Sequence, residues 1–444
     1  MSGGAALDTI VAPATPVGRS ALAIVRIDGP QSAAILSALS KGDVPEPRVA
    51  TFVRLHVDDE PLDECIAIRY AAPHSFTGND LVELTLHGNP LLVERVIEAA
   101  TKLGARIAEP GEFTERAVLN GKLDLVQAES IADLINARTT LQAKLSLANL
   151  DGTLSRIASS IREALLLVIS RLEAALDFSE EGYEFITRDE ARRQIETSIA
   201  ACASLAETYR RGRATTHGLS LVILGAPNAG KSTLLNRLVG SERAIVTPIP
   251  GTTRDIVRET IEIGGLPVTI ADTAGLREDA DVVEEIGIDR ARRAAQDADV
   301  VLYLIDAKRG ADVRDEAELS QLGDKGIRIY TKQDIAPAPA DTIAISAATG
   351  AGIADLLARL DALVRERFAV PEGSPTVVNE RQRGAVAACE ASLRTALESL
   401  NAGLDEQMIL VDLYAAANVL ALLTGAITRD DVFEQIFSKF CIGK

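Results

Sequence analysis

The sequence predicts a multidomain protein of mixed class, with an α/β section inserted into a helical section and an α+β section in front of both. Its 444 residues suggest about three domains. Short β-type runs with turns fill residues 1–120, and amphipathic helical spacing fills residues 121–215. Strands alternate with helices over residues 216–371, and residues 372–444 are again helical. The second and fourth segments therefore form one split helical domain.

Hydrophobic periodicity and turn residues place the individual elements. In the first segment they predict strands over residues 21–27, 65–70 and 81–86, and a helix over residues 90–103 that ends at Gly104. The other predicted elements are one long amphipathic helix with apolar residues from Leu150 to Leu176, strands at 219–224 and 268–271, and a terminal helix at 428–440.

Composition argues against a protein that grips RNA by itself. The formal net charge is −18, aromatic residues make up 3% of the chain, and there is no Trp. Broad phosphate binding requires clustered Lys and Arg, and base stacking on a sheet requires exposed aromatic rings. Any RNA bound would need a local basic patch, or a partner that supplies most of the contacts.

Cysteine usage and hydropathy indicate a soluble cytoplasmic protein without a membrane segment. The four cysteines lie far apart in the sequence with no CxxC pair, which disfavours a disulfide framework or a structural zinc site. The N-terminus lacks the basic and apolar regions of a signal peptide. The longest uncharged apolar run, residues 413–428, is shorter than a membrane span.

A phosphate-binding loop follows the strand at 219–224. The segment GAPNAGKS fits the pattern GxxxxGK[ST] and leads into the helical run TLLNRLVG. Its glycines let backbone N–H groups face phosphates, Lys231 reaches the β- and γ-phosphates, and Ser232 binds Mg²⁺. The alternative, a glycine-rich turn without a ligand, is disfavoured by the strand–loop–helix context.

Four further motifs follow in the order that a GTPase requires. GTTRD supplies Thr253 for Mg²⁺ and the γ-phosphate, and DTAG offers Asp272 to the outer shell of the metal. TKQD places Asp334 against the guanine N1–H and 2-amino group, and SAATGAG, from Ser346, offers backbone N–H groups to the guanine carbonyl. The predicted GTP-binding residues are Asn228, Ala229, Gly230, Lys231, Ser232, Thr233, Thr247, Pro248, Ile249, Pro250, Gly251, Thr252, Thr253, Asp272, Thr273, Ala274, Gly275, Thr331, Lys332, Asp334, Ser346, Ala347 and Ala348.

Two positions depart from a Ras-like site. Leu276 stands where a glutamine would orient the attacking water, so another group must do so. Thr331 stands where Asn is usual, and we expect the lost amide to loosen either base binding or the bracing of the phosphate loop. The acidic residues after Leu276 could include the water-orienting group or be a solvated surface.

The motifs together resemble the MnmE (TrmE) family of tRNA uridine-modification GTPases over essentially the whole chain. The resemblance is carried by DTIVAPATPVGRSALAIVRIDG, SFTGND with LVELTLHG, PGEFTERAVLNGKLDLVQAESIADLI, GAPNAGKS, GTTRD, DTAGLRE and the terminal FCIGK. It implies a homodimer with an N-terminal folate-binding domain and a G domain inserted into a helical domain. It also implies an FAD-dependent partner of the MnmG type, in a heterotetramer, and modification of C5 of the wobble uridine of certain tRNAs with a one-carbon unit from a 5-formyl or methylene tetrahydrofolate.

The resemblance assigns roles in hydrolysis that the residues alone leave open. It implies GTP hydrolysis that depends on potassium and on G-domain dimerisation, with potassium held around Asn228, Thr247, Ile249 and Thr252. A monovalent cation there would supply the positive charge that an arginine finger supplies elsewhere. Glu284 matches the glutamate that orients water, although Glu285 is adjacent.

The resemblance also implies a folate site at Arg26, Glu83 and Lys122, with the terminal Lys444 nearby. Glu83 suits a pterin, whose N3–H and 2-amino group present paired donors to one carboxylate. From periodicity alone, Glu83 would be a solvent-facing residue of an alternating strand. Cys441 is implied in the modification reaction, and the alternative is a small buried residue in the terminal helix.

Two other functions compete with a tRNA-modifying GTPase. An RNA- or ribosome-assembly GTPase acting as a nucleotide-dependent switch would carry a basic RNA-binding appendage or a second G domain, and neither is evident in the sequence. A folate enzyme with a regulatory G domain would turn over a small molecule without tRNA or a partner.

Overall fold

The computed structural model divides into two compact units, each of which is described by itself. One comprises Met1–Ala132, Leu150–Ser198 and Ala391–Lys444, and the other comprises Asp133–Asn149 and Ile199–Glu390. The residues that the structure describes are 8–42, 44–178, 185–240, 243, 258–271, 293–368, 370–371, 373–427, 430–438 and 440–444.

The N-terminal part of the first unit is a six-stranded sheet in the order β3-β4-β5-β2-β1-β6. All of its strand pairs are antiparallel except β1 with β6. One face buries apolar side chains against two helices, and the other face packs on Phe113. The strands are β1 (Ile10–Pro13), β2 (Leu22–Asp28), β3 (Thr51–Val57), β4 (Glu60–Tyr70), β5 (Leu81–His87) and β6 (Arg106–Ile107).

The helices lie in four stretches of the chain. Those within or beside the N-terminal sheet are Ser32–Leu39, Pro90–Lys102 and Glu112–Leu119. Those between this sheet and the second one are Leu125–Ile135, Thr140–Leu150, Thr153–Asp177 and Arg188–His217. Those of the second sheet are Lys231–Val239, Val313–Leu322, a 3₁₀ turn at Gly323–Lys325, and Ile353–Phe368. Those after it are Glu380–Asn401, Glu406–Thr424 and Asp430–Phe437.

The second unit holds a six-stranded sheet in the order β12-β11-β10-β7-β9-β8. All of its strand pairs are parallel except β8 with β9. Apolar clusters cover both faces, as a mainly parallel sheet requires. The strands are β7 (Leu219–Gly225), β8 (Arg258–Ile263), β9 (Leu266–Ala271), β10 (Val300–Asp306), β11 (Gly326–Thr331) and β12 (Ile343–Ala344).

The predicted class is confirmed, and most predicted elements agree with the structure within a few residues. The long helix predicted through Leu150 is not continuous in the structure. One helix ends at Leu150 and the next begins at Thr153, directly after Gly152, whose φ is 81°. Leu150 therefore belongs to the preceding helix, and Gly152 separates two helices that the apolar spacing predicted to be one. The four segment boundaries drawn from the sequence stay a prediction.

Helix Glu406–Thr424 is long and apolar enough, by length and composition alone, to cross a membrane. It packs against helix Thr153–Asp177, where the Tyr414 hydroxyl donates to the Glu173 carboxylate at 2.5 Å. Its side chains at Leu413, Ala416 and Leu420 are buried in this contact region. One face of this helix therefore contributes to the apolar core of the first unit.

Candidate functional sites

The phosphate loop lies at the carboxyl edge of the parallel sheet, after β7. After β7 the chain forms β8 and β9 on one side of it and then crosses to β10 on the other side, so the strand order reverses at β7. This is the switch point at which open α/β sheets bind ligands. Asn228 and Gly230 have φ values of 62° and 91°, and helix Lys231–Val239 starts directly behind them. The loop thus presents the positive end of a helix to an anion.

Gly225 is required where β7 enters the loop. Its φ is 142°, and a Cβ there would lie 2.4 Å from the carbonyl oxygen of Leu304 on β10. Any side chain at this position would push the loop away from the adjacent strand. The first glycine of the motif therefore serves strand packing as well as the turn.

Backbone carbonyl groups of the phosphate loop hold the Lys231 side chain over the loop. Its Nζ donates to the carbonyl oxygens of Gly225 and Ala226, each at 2.9 Å. These bonds keep the ammonium group at the place where the sequence predicts the β- and γ-phosphates. Asn228, Ser232 and Thr233 are exposed around it.

Thr331 joins the base-binding strand to the phosphate loop. It is 2% exposed, and its hydroxyl donates to the Ala229 carbonyl at 2.9 Å, with the Ile305 carbonyl at 3.3 Å. A hydroxyl has one proton, so the shorter bond to Ala229 is the principal one. Thr331 thus makes a hydrogen bond to the phosphate loop, and the expectation that the lost amide loosens either base binding or this bracing stays a prediction.

The two guanine-facing segments follow β11 and β12 at the same edge of the sheet. Asp334 is exposed, while Lys332 pairs with Asp306 at 2.8 Å. The buried Ser346 accepts a hydrogen bond from the Thr349 amide at 3.2 Å, which fixes the turn that carries Ala347 and Ala348. These side chains and backbone groups can form one end of a base pocket. The predicted site residues Thr247, Pro248, Ile249, Pro250, Gly251, Thr252, Thr253, Asp272, Thr273, Ala274, Gly275 and Glu284 lie outside the described residues.

A second polar cluster lies on the N-terminal sheet. Arg26 and Glu83 are directly opposite each other in the β2–β5 register, and Arg26 Nε donates to Glu83 Oε1 at 2.8 Å. Each side chain is about one-fifth exposed, so the pair is largely shielded from water but remains accessible to a ligand. The Tyr70 hydroxyl lies 3.3 Å from Glu83 Oε2. The charge of this carboxylate raises the pKa of Tyr70, in addition to the larger effect of burial.

The loop between β4 and β5 closes one side of this cluster. It places the Phe76 ring 5.7 Å from the Arg26 guanidinium, and Lys122 Nζ donates to the Pro73 carbonyl at 3.2 Å. Sequence reasoning named Lys122 but missed Phe76 and Tyr70. Phe76 lies within the motif SFTGND, whereas the contact of Tyr70 depends on the register of β4 and β5.

The C-terminal tail reaches the same cluster. The Gly443 carbonyl accepts from Arg26 Nη1 at 3.5 Å, and a bridge pairs Ile442 with Pro110. A Cβ at Gly443, where φ is 92°, would lie 2.0 Å from the Pro13 carbonyl oxygen, so only glycine allows the tail to lie this close. Cys441 is exposed and Lys444 half-buried. The structure thus brings the tail, Arg26 and Glu83 together.

The sheet order, the phosphate loop at the switch point and the two base-facing segments define the second unit's α/β section as a P-loop GTPase domain. Residues 125–441 match the family described as MnmE helical domain, and residues 9–122 match the one described as GTP-binding protein TrmE N-terminus. The chain belongs to the MnmE (TrmE) family.

Curated relatives named tRNA modification GTPase MnmE support the same assignment. That of Koribacter versatilis is 41% identical over 452 residues, which covers 98% of this chain and 99% of the relative. That of Neisseria meningitidis serogroup C is 42% identical over 448 residues, with the same coverage. Among solved structures, a variant of Era from Aquifex aeolicus bound to GDP and AlF4⁻ is 28% identical over 39% of this chain and 66% of that one. Its TM-score of 0.27 is too low to support a conclusion.

Proposed function

We propose that the protein is a GTP-hydrolysing enzyme that modifies C5 of the wobble uridine of certain tRNAs. It would act in the cytoplasm as a homodimer, with an FAD-dependent partner of the MnmG type in a heterotetramer. The proposal depends on the sequence similarity, over nearly the full length of the chain, to proteins named tRNA modification GTPase MnmE, together with an intact phosphate loop.

The N-terminal cluster suits a tetrahydrofolate derivative in the 5-formyl or methylene form. A pterin offers paired N–H donors, and Glu83 offers a partly buried carboxylate whose second oxygen lies 3.3 Å from the Tyr70 hydroxyl. Arg26 and the Phe76 ring add a cation and an aromatic face. The folate would supply the one-carbon unit, while Arg26, Glu83, Lys122 and Lys444 bind and orient it, with Cys441 exposed nearby.

For hydrolysis, we propose a potassium ion at Asn228, Thr247, Ile249 and Thr252, and Mg²⁺ at Ser232 and Thr253. Asn228 supports this because it is exposed at the turn of the phosphate loop, with its backbone in the left-handed region. Glu284 would orient the attacking water, since Leu276 has no polar group. Lys231 would stabilise charge on the β- and γ-phosphates.

The tRNA would be held largely by the partner. The candidates for a local basic patch are Arg210, Arg211 and Arg213, or Arg381 and Arg383. Arg213 pairs with Asp299 at 3.6 Å, Arg383 pairs with Glu380 at 2.6 Å, and Arg210 lies over the Phe368 ring at 5.3 Å. With a net charge of −18, these pairings reduce the positive charge that the two stretches offer to phosphates.

Nucleoside analysis of tRNA from a strain lacking the protein tests the proposal. We expect the aminomethyl-type modification of the wobble uridine to disappear, to return with the wild-type gene, and to stay absent with Lys231→Ala, which removes the phosphate-binding ammonium. Unchanged modification in the deletion strain would reject the proposal. A ribosome-assembly defect with normal nucleosides would favour the nucleotide-dependent binding switch instead.

A further inference from the structure

Two cysteines that are 187 residues apart in the sequence meet in the second unit. Their Sγ atoms, on Cys202 and Cys389, are 3.7 Å apart, and both side chains are completely buried. Cys202 lies on helix Arg188–His217, and Cys389 lies on helix Glu380–Asn401. The GTPase mechanism uses neither thiol.

The two helices are the ones by which the chain enters and leaves the α/β section. Helix Arg188–His217 ends directly before β7, and helix Glu380–Asn401 is the first helix after the section's last one, Ile353–Phe368. A covalent bond between Cys202 and Cys389 would therefore close a loop that contains the entire GTPase domain.

We propose that Cys202 and Cys389 form a reversible covalent modification site, at which an oxidant of the peroxide class joins the two helices by a disulfide. The sulfur atoms need to approach by about 1.7 Å to reach the bonding distance of about 2.05 Å. This approach requires rotation of the two side chains or movement of the two helices towards each other. Reversible disulfides of this kind are the type found in reducing compartments.

The reaction balances with peroxide as the sole oxidant. One cysteine thiolate attacks a peroxide oxygen, the O–O bond breaks, and a sulfenic acid and one water are formed. The second thiolate attacks the sulfenic sulfur, the S–O bond breaks, and a second water leaves as the disulfide forms. Two electrons and two protons pass from the two thiols to the peroxide.

The pair differs chemically from the other buried cysteine. Burial, with the nearby Asp63 charge, raises the pKa of Cys65 to about 12, which leaves it an unreactive thiol. In the pair, the hydrogen bond between the two thiols lowers the pKa of Cys202 against the opposing effect of burial, and it raises the pKa of Cys389 together with burial, so Cys202 is the cysteine that ionises first. Cys441 is exposed and serves as the reference for a thiol open to reagents.

The test treats the full-length protein with increasing hydrogen peroxide, blocks remaining thiols with N-ethylmaleimide under denaturing conditions, and maps the peptides by mass spectrometry. We expect a cross-linked Cys202–Cys389 peptide, 2 Da lighter than the two reduced peptides together, that dithiothreitol reverses. Cys65 should remain alkylated in the same molecules. Cys202→Ala and Cys389→Ala should each lack the product.

Thermal unfolding gives a second readout, because closing so long a loop restricts the unfolded chain. Oxidised wild-type protein should unfold several degrees higher than the reduced protein, whereas either alanine variant should show no such shift. The proposal fails if Cys202 and Cys389 both remain alkylatable at a peroxide dose that has consumed Cys441. It also fails if their oxidation stops at sulfinic acid. The peptide map needs no variant and no activity, so its outcome is separate from that of the proposed tRNA function.

Discussion

A single hydroxyl connects the base-binding strand to the phosphate loop. The Ala229 carbonyl lies in a residue that is 1% exposed, and Thr331 is its hydrogen-bond donor at 2.9 Å. An asparagine amide has two donor hydrogens, whereas a threonine hydroxyl has one. The chain therefore keeps this hydrogen bond to the phosphate loop with fewer donor hydrogens than asparagine would offer. The contact could not be predicted from the sequence, because it depends on where two distant segments of the chain meet.

Thr331→Val should weaken GTP binding. Valine has nearly the shape of threonine but leaves the Ala229 carbonyl without this donor, which costs about 1–3 kcal/mol, or roughly 5- to 150-fold in affinity. Titration with a fluorescent GTP analogue measures the dissociation constant. Thr342→Val is the matched control, since the Thr342 hydroxyl bonds to Pro339 away from the loop. Equal affinity in wild type and Thr331→Val would show that the brace does not support the nucleotide.

Glu83→Gln should reduce binding of the folate without affecting GTP hydrolysis. Glutamine keeps the shape of the side chain but loses the charge that a pterin's paired donors and Arg26 use, so we expect roughly 10- to 100-fold weaker binding. Isothermal titration with 5-formyltetrahydrofolate measures this. Glu64→Gln, on β4 and paired with Arg54, changes an equivalent strand carboxylate outside the cluster. If Glu83→Gln binds as the wild type does, Glu83 is not a folate ligand.

At the scale of elements, periodicity predicted which segments are strands and helices, but it could not predict their pairing. Glu83 follows the alternation of a solvent-facing strand residue, and only the register of β2 and β5 places it opposite Arg26. The apolar spacing through Leu150 likewise predicted one continuous helix, whereas Gly152, with a positive φ, separates two helices. The phosphate-loop motif predicted its local structure more completely than periodicity did, since the motif itself specifies a strand, a turn and a helix.

Helix Glu112–Leu119 is anchored to the N-terminal sheet by a buried ion network. Arg116, 5% exposed, donates to Asp28 at 3.1 Å and to Glu112 at 2.9 Å. Thr77 and Asn79 also donate to Asp28, which ties the loop that carries Phe76 to this helix. The network therefore holds the loop that places Phe76 beside Arg26.

Arg116→Met should destabilise the first unit by about 3–5 kcal/mol, because it leaves the buried Asp28 without its cation. Burial raises the pKa of Glu112, but hydrogen bonds from Arg106 and Arg116 outweigh it and hold the pKa below its usual range. Stability from a lowered carboxyl pKa is present at neutral pH and is lost as the pH falls through that lowered value. The variant, with a higher Glu112 pKa in the folded state, should therefore lose less stability than the wild type as the pH falls.

Thermal unfolding between neutral pH and pH 3 measures both effects of Arg116→Met. Arg95→Met is the control, since the pairs it breaks, with Asp58 and Glu98, are exposed and contribute about 0–1 kcal/mol each. Similar unfolding of the two variants would mean that the buried network contributes no more than a surface ion pair.

For the whole molecule, length and motif order predicted an inserted GTPase domain, and the strand order of the second sheet agrees with that prediction. The net charge of −18 limits how the protein can hold tRNA but does not exclude it as a substrate. Partner and substrate are the parts that neither composition nor local motif determines, because both depend on surfaces that form only in the assembled enzyme.

Reconstitution from purified components tests the proposed tRNA-modifying activity most directly. The protein is mixed with an FAD-dependent protein of the MnmG type, a methylene-tetrahydrofolate, an amine donor, GTP, Mg²⁺, potassium and tRNA that lacks the wobble modification, and the modified nucleoside is measured. We predict product only when all components are present, and none with Lys231→Ala or with a non-hydrolysable GTP analogue. Product formation at an undiminished rate without GTP, or folate turnover at an undiminished rate without tRNA, would contradict the account.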